Sequence, residues 1–465
     1  MRQPAISDPT LWGLSADAGG TLRLNDVPLT SLAEEFGTPL HVVHEDRLLS
    51  FARRLQCTAE HEYTGPVAVH FAMKCNGVPG IVRLVREAGL RIEVMSELEL
   101  HTAHRVGYAG CDIIVNGPCK SESFIRACLE SHVRFIAVDS LAELDVLERL
   151  AAEMDLRPEV LLRVNPDIVP RGMNAGSATG SRSGCAFGLD LKGGEVRLAL
   201  ARFHRAPSLL FAGYHLHIGT GIRSPQEYLP AVRTLEMLLR EARMLGFAPT
   251  TIDIGGGFAS RTSREFTSLE MLKYQAFGRL PAPSAPSADP CEFIRFIAHA
   301  VHHAFAGERL PEVIFEPGRC VTGPHQFLLL KVHAVKHRPG AGTWAITDGG
   351  LGTVTMPTYY EAHDVLPCTG VSRPRSEHIT ILGPGCFAGD IVYRNLPMPS
   401  LAPGDVIALM DTGAYFTALE SNFGHPRPAI VSVGRNGKTL LRRRETFDDT
   451  VCRDVMAIES HEVMS

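Results

Sequence analysis

Lys74 lies in "HFAMKCN" (70–76), a run that otherwise reads as a buried strand ended by the turn pair Asn76-Gly77. A strand end where the ammonium snorkels to water explains it plainly. The sharper reading is an amine needed inside a pocket as a nucleophile toward a carbonyl. "HLHIGTG" (215–221) alternates, which puts His215 and His217 on one face of a strand. That spacing suits a metal pair, an imidazole stacked on a planar cofactor, or two satisfied core histidines. No HExxH or matching Cys/His cluster supplies further ligands, so no metal is expected. "DIGGGF" (253–258) offers three glycines, Gly255, Gly256 and Gly257, whose backbone can approach a phosphate closely or simply turn. It is not the GxGxxG of a dinucleotide site. "FEPGR" (315–319) sets a carboxylate, Glu316, and a guanidinium, Arg319, about a turn; a surface ion pair competes with a buried acid and a phosphate-binding fork. "GPGCFAGD" (383–390) places Cys386 between glycines, as an exposed thiol at a loop tip would be, and Tyr415 follows a strand in "DTGAYF".

Eight short apolar runs must position these groups: "VAVHFAMK", "RIEVMS", "DIIVNG", "RFIAVD", "EVLLRVN", "LLFAGYHLHIG", "TIDIGGG" and "VIFEPGR". Amphipathic stretches such as "SLAELDVLERLAAEM" alternate with them, which predicts a (β/α)8 barrel of parallel strands over 46–325. A doubly wound sheet is the competing arrangement. Lys74, Ser96, Asn165, His217, Gly255 and Glu316 all fall where a run stops, and in a barrel those ends share the face that carries chemistry. Beyond residue 325, strands such as "GTWAITDGG" and "GDVIALMD" joined by Gly/Pro turns predict an all-β domain over 326–465. The N-terminal "TLRLNDVPL" and "PLHVVHED", within residues 1–45 and just beyond, are expected to complete its sheet. The Pro/Ala/Ser-rich "GRLPAPSAPSADP" (278–290) reads as a surface loop.

Composition narrows the class. The 465 residues suit two or three domains, and 45% hydrophobic with 21% charged residues describes a globular chain. A net charge of −5 without a sustained basic stretch gives nucleic-acid binding no support. No apolar run has membrane-spanning length, and no signal peptide is visible. Eleven cysteines without CxxC pairs fit reduced thiols in a cytoplasmic enzyme.

Taken in order, "AMKCN", "HIGTG", "DIGGGF", "EPGR", "GPGC" and "GAY" resemble the fold-type III pyridoxal-phosphate decarboxylases, the group of diaminopimelate and ornithine decarboxylases. The resemblance runs from "GTPLHVVHED" to "GAYFTALESNFG". It implies that Lys74 holds pyridoxal 5'-phosphate covalently and that His217 stacks on the ring. Thr220, Gly255, Gly256, Gly257, Arg319 and Tyr415 would hold the phosphate, and Glu316 would pair with the ring nitrogen. Cys386 would come from a neighbouring subunit to protonate the α-carbon after CO₂ leaves, which implies a homodimer with shared sites. Glu93 and Glu99 match acidic positions lining the family's site. A carboxylate at the ring nitrogen favours decarboxylation over racemisation, because it strengthens the electron sink.

The departures concern substrate choice. The family's acidic residue after the cysteine is Phe387 here, and the arginine expected after "DGG" (348–350) is absent, with Met356-Pro357 in that neighbourhood. "KFG" reads "AFG", so Ala186 replaces a lysine of the dimer boundary. Phe387, Asp348 and Met356 are therefore the expected specificity positions, since an apolar clamp leaves a distal charge unpaired. The expected activity is decarboxylation of a non-standard or conjugated α-amino acid in siderophore or antibiotic biosynthesis. Diaminopimelate or basic amino-acid decarboxylation is the alternative, and a catalytically silent regulatory homologue is disfavoured by the presence of both Lys74 and Cys386.

Overall fold

The computed structural model describes residues 8–173, 178–281, 286–355 and 360–455. The chain divides into two compact units, Leu48–Arg261 with Ala285–Thr322, and Met1–Arg47 with Thr262–Ser284 and Gly323–Ser465.

The first unit is the expected α/β barrel. Its strands are β1 (Val67–Ala72), β2 (Arg91–Val94), β3 (Ile113–Val115), β4 (Phe135–Val138), β5 (Glu159–Asn165), β6 (Leu210–His215), β7 (Thr251–Asp253) and β8 (Glu312–Phe315). Each pairs in parallel with the next, and β8 pairs with β1, so the sheet closes. Among the described residues of this unit, seven helices follow the strands, from Pro79–Glu87 to Pro290–Ala304. The preceding helix, Glu45–Glu62, lies against the last of these: Glu62 accepts from Arg295 at 3.2 Å. Serine caps start several helices where the sequence leaves a strand end; Ser96, Ser121 and Ser140 accept from the backbone N–H of Glu99, Phe124 and Glu143.

Closure decides which residues face in. Ile114, Phe135, Ala137, Leu161, Ala212 and Ile314 form one apolar cluster from five strands. Side chains alternate along a strand, so the residues two positions further toward the C-terminal ends also point inward. Those residues are polar: Asn116, Asp139, Arg163 and Glu316 follow Ile114, Ala137, Leu161 and Ile314. Glu93 sits beside Ile114, and Asp253 beside Ile314 and His215, in register. Charge at the mouth rests on an apolar plug below.

The second unit is β-rich. Its sheet runs Ile391–Met398, Glu377–Leu382, Gly342–Thr347, Gln326–Arg338, Leu40–His44, Ala429–Gly434, Gly437–Arg442, with Val406–Leu409 also on the central strand and Val365–Pro367 beside it. The central strand alternates between two cores: Phe327 and Leu329 join one, Leu328 and Leu330 the other. "PLHVVHED" enters this sheet as expected. "TLRLNDVPL" does not; its Leu22–Leu24 pairs with Leu14–Ala16 on one side and with Val27–Pro28 on the other, in a separate three-stranded sheet. Thr262–Ser284 also groups with this unit rather than with the barrel. The 278–290 insert is tied down at its described end. Ser287 is buried and donates to the Ser260 carbonyl at 2.7 Å, and Asp289 caps the following helix.

Candidate active site

β1 ends at Ala72, and a short turn, Met73–Cys75, carries Lys74 over the barrel mouth. The Lys74 Nζ lies 2.9 Å from Glu93 Oε2, so the cation is neither snorkelling freely nor buried alone. Glu93 is fully buried, and its other oxygen has no hydrogen-bond partner. Burial pushes the Glu93 carboxyl up, and the Lys74 charge opposes that shift. Glu99, half-buried, accepts from the Met95 N–H at 2.7 Å, and burial followed by the charge of Glu93 lifts its pKa to about 7.

Across the mouth, Glu316 leaves β8 with Oε2 3.4 Å from His215 Nε2, while the Asn116 amide donates to Oε1. Asp253, from β7, completes a buried group whose polar atoms all lie within 4.8 Å of one another. Burial opposes both charges. At Glu316 the neighbours His215, Lys74 and Asp253 outweigh it and hold the carboxyl below the usual range. Asp253, buried and facing the Glu316 charge, is pushed well above that range. The two carboxyls are thus pushed in opposite directions, Glu316 down and Asp253 up.

His217 follows β6, and its Nδ1 accepts from the Gly256 N–H at 3.2 Å. Burial and then the charges of Lys74 and Arg163 push its pKa well below the ordinary value. It is a neutral, flat ring with one nitrogen occupied. The glycine run is packed against these groups. A Cβ on Gly255 would lie 2.6 Å from His217 Nδ1; on Gly256, 2.0 Å from the Glu316 carbonyl; on Gly257, 2.0 Å from the Gly219 carbonyl. Thr220 belongs to the loop held there by the Ile222 N–H, which donates to the Gly257 carbonyl. The "EPGR" turn lies on the Lys74 turn: the Ala72 N–H donates to the Pro317 carbonyl, and Gly318 leaves room for Ala72 and Cys75. Arg319, buried, follows immediately.

The barrel thus gathers Lys74, His217, Thr220, Gly255–Gly257, Glu316 and Arg319 at its C-terminal face. Two other strand-end residues are structural. Ser96 is a helix cap, and the Asn165 amide donates to the carbonyls of Ser181, Cys185 and Phe187. Sequence reasoning did not single out Asn116, Asp139, Arg163 or Asp253 as site residues. Arg163 pairs with Asp139 at 3.3 Å and lies over the Phe187 ring at 4.6 Å. For Asn116, Asp139 and Arg163 the only signal was a polar residue two places beyond an apolar one at a strand end.

Cys386, Phe387, Asp348 and Tyr415 belong to the β-rich unit. Cys386 is exposed, and Phe387 is 54% exposed with its ring 6.3 Å from that of Phe423. Tyr415 adopts a left-handed backbone, φ 68°, at the start of the short helix Phe416–Leu419. Asp348 is committed elsewhere, accepting from the Lys331 N–H at 2.9 Å. Met356 lies outside the described residues.

A closed barrel with a lysine, a charged buried acid and a glycine cradle at one face defines a class of enzyme that holds a phosphorylated aldehyde cofactor covalently. Residues 50–323 match the pyridoxal-binding domain of the pyridoxal-dependent decarboxylases. The chain is 31% identical to a diaminopimelate decarboxylase of Corynebacterium efficiens over 94% of its own length and 92% of that protein's. It is also 31% identical to one from Actinosynnema pretiosum, covering 97% of each. The crystal structure of the diaminopimelate decarboxylase from Methanocaldococcus jannaschii superposes with a TM-score of 0.83 at 25% identity, covering 95% of this chain and 97% of that one. The chain belongs to the pyridoxal-dependent decarboxylase family, and it is a pyridoxal-phosphate-dependent amino-acid decarboxylase. The residues fit the cofactor: the mouth leaves Glu93 Oε1, Asn116 Oδ1 and His215 Nδ1 without hydrogen-bond partners, beside a backbone cradle that any side chain would fill. No described helix is long and apolar enough to cross a membrane.

Proposed function

We propose that the chain decarboxylates diaminopimelate, as its near full-length relatives are named to do, or a basic amino acid. The observation that carries the chemistry is the buried cluster of His215, Asp253 and Glu316 at the barrel mouth, with Glu316 held by His215 and the Asn116 amide. Bound pyridoxal phosphate supplies an electron sink for the pair left on the α-carbon as CO₂ departs. Glu316 would keep the ring nitrogen protonated, with Asn116 and His215 orienting it. The neutral His217 would lie against the ring, and Thr220, Gly255–Gly257, Arg319 and Tyr415 would take the phosphate. Glu93 Oε2 holds the Lys74 ammonium and can hold a proton when the lysine gives way to the substrate amine. The Cys386 thiol of a second copy would pass its proton to the α-carbon; an exposed thiol beside the half-exposed rings of Phe387 and Phe423 supports such a homodimer.

Phe387 favours a second reading. Uncharged and exposed where an acid is expected, it suits a substrate whose distal group is conjugated rather than free, as in siderophore or antibiotic biosynthesis. CO₂ release by cofactor-loaded protein tests both, using meso-diaminopimelate, L- and D-lysine, L- and D-ornithine, arginine, and amino acids carrying acyl or citryl groups. Turnover of free diaminopimelate or lysine establishes the first reading. Release from conjugates alone replaces it with the second.

A further inference from the structure

We propose that Asp390 is a positioning residue that sets where the Cys386 thiol stands, an inference that rests on reading Cys386 as the proton donor. Asp390 is 3% exposed and four residues beyond the cysteine. Both of its carboxylate oxygens accept from backbone. The Gly385 N–H donates to Oδ2 at 2.7 Å, and the Leu351 N–H donates to Oδ1 at 2.6 Å. The first bond holds the N–H of the residue before Cys386; the second ties the same loop to a segment more than thirty residues earlier. Two main-chain bonds close the loop further: the Gly383 N–H donates to the Asp390 carbonyl at 3.0 Å, and the Asp390 N–H to the Phe387 carbonyl at 3.0 Å.

The surrounding glycines are shaped by this carboxylate. A Cβ on Gly350 would lie 2.2 Å from it, on Gly383 2.3 Å, and on Gly385 2.7 Å. None of the three has a positive φ, so space rather than backbone conformation requires glycine there. "DGG" and "GPG" are thus two halves of one socket for the Asp390 side chain. A buried carboxylate needs its hydrogen bonds, and here they come from backbone that cannot move aside without moving Cys386 and Phe387.

Asp390→Asn keeps the shape but turns an amide N–H₂ toward one of the two backbone donors, while Asp390→Ala removes both acceptors. The experiment uses full-length, cofactor-loaded protein. It measures kcat and KM on meso-diaminopimelate, or on whichever amino acid of the panel releases CO₂. Alkylation of Cys386 by iodoacetamide is followed alongside by peptide mass spectrometry, and cofactor absorbance is recorded. Asp390→Asn is expected to lower kcat on the order of 10²-fold, as a displacement of about 1 Å can. KM should change far less, the cofactor spectrum should be unchanged, and the Cys386 alkylation rate should shift several-fold. A variant with the wild-type alkylation rate overturns the proposal, whatever happens to turnover. Wild-type kcat in Cys386→Ala would instead remove the proton-donor role, with the alkylation rate of Asp390→Asn still deciding whether the socket positions the thiol. If Asp390→Ala does not fold, the near-isosteric Asn variant carries the test.

Discussion

His70 in the barrel and His363 in the β-rich unit are both buried, and their surroundings shift their pKa values in opposite directions. His70 stands in register with Arg91, and neither ring nitrogen has a hydrogen-bond partner. Burial and then the Arg91 charge push its pKa down to about 3, so it is neutral. His363 has acceptors on both sides, the Met410 carbonyl 2.8 Å from Nδ1 and Glu361 Oε2 2.9 Å from Nε2. Burial opposes the charged form, but the hydrogen bond and charge of Glu361 outweigh it and raise the ring's pKa. Among the described residues, the barrel mouth leaves Glu93 Oε1, Asn116 Oδ1 and His215 Nδ1 without a protein hydrogen-bond partner. The His363 ring instead has both nitrogens satisfied. At the mouth those open atoms lie where the cofactor fits; the His363 network joins strands of the β-rich unit.

The sharpest break of that contrast is at Lys74. Lys74→Ala should reduce CO₂ release on the order of 10³-fold or more. Comparable activity in that variant would show that the mouth is not the reaction centre. His363→Ala should act on stability instead. Leaving Glu361 buried without its histidine partner costs about 3–5 kcal/mol in denaturant unfolding, with kcat per folded molecule unchanged. Glu316→Gln should lower kcat about 10²–10³-fold and alter the cofactor absorbance, because the charge at the ring nitrogen is lost. The smallest effects lie in pH. His70 has a folded pKa below its unfolded 6.5, so the unfolded chain takes the proton first and stability falls as pH drops from 6.5 toward 3. Between pH 8 and pH 5 the unfolding free energy of His70→Leu should gain about 2 kcal/mol on the wild type. His363 has the opposite sign: its stabilisation is complete below 6.5 and is lost as pH rises through its raised folded pKa, so His363→Ala should flatten the alkaline limb.

The family comparison also weighs the substrate reading. Relatives covering nearly the whole chain are diaminopimelate decarboxylases, which favours the reading given only as the alternative from sequence. Phe387 is one clamp position, and one position says little about a pocket lined by many groups. Asp348 illustrates the same limit. Its carboxylate serves the Lys331 backbone, a use invisible without the strand pairing.

What the sequence determined by itself was local and periodic. Continuous apolar runs specify parallel strands, their ends expose Lys74, His217, the glycine run and Glu316, and the order of these motifs identifies the family and its cofactor. Tertiary structure decided everything that depends on closure. Asn116, Asp139, Arg163 and Asp253 became mouth residues only when the strands closed in one register, since a one-residue slip would turn each to the other face. Whether a buried acid or histidine is charged followed from which neighbours the fold brought to it, because electrostatic energy depends on distance in space and not on separation along the chain. Asp390 is the clearest case: from sequence it is an acid at the end of a glycine-rich loop, and folded it is the side chain around which two glycine segments are built.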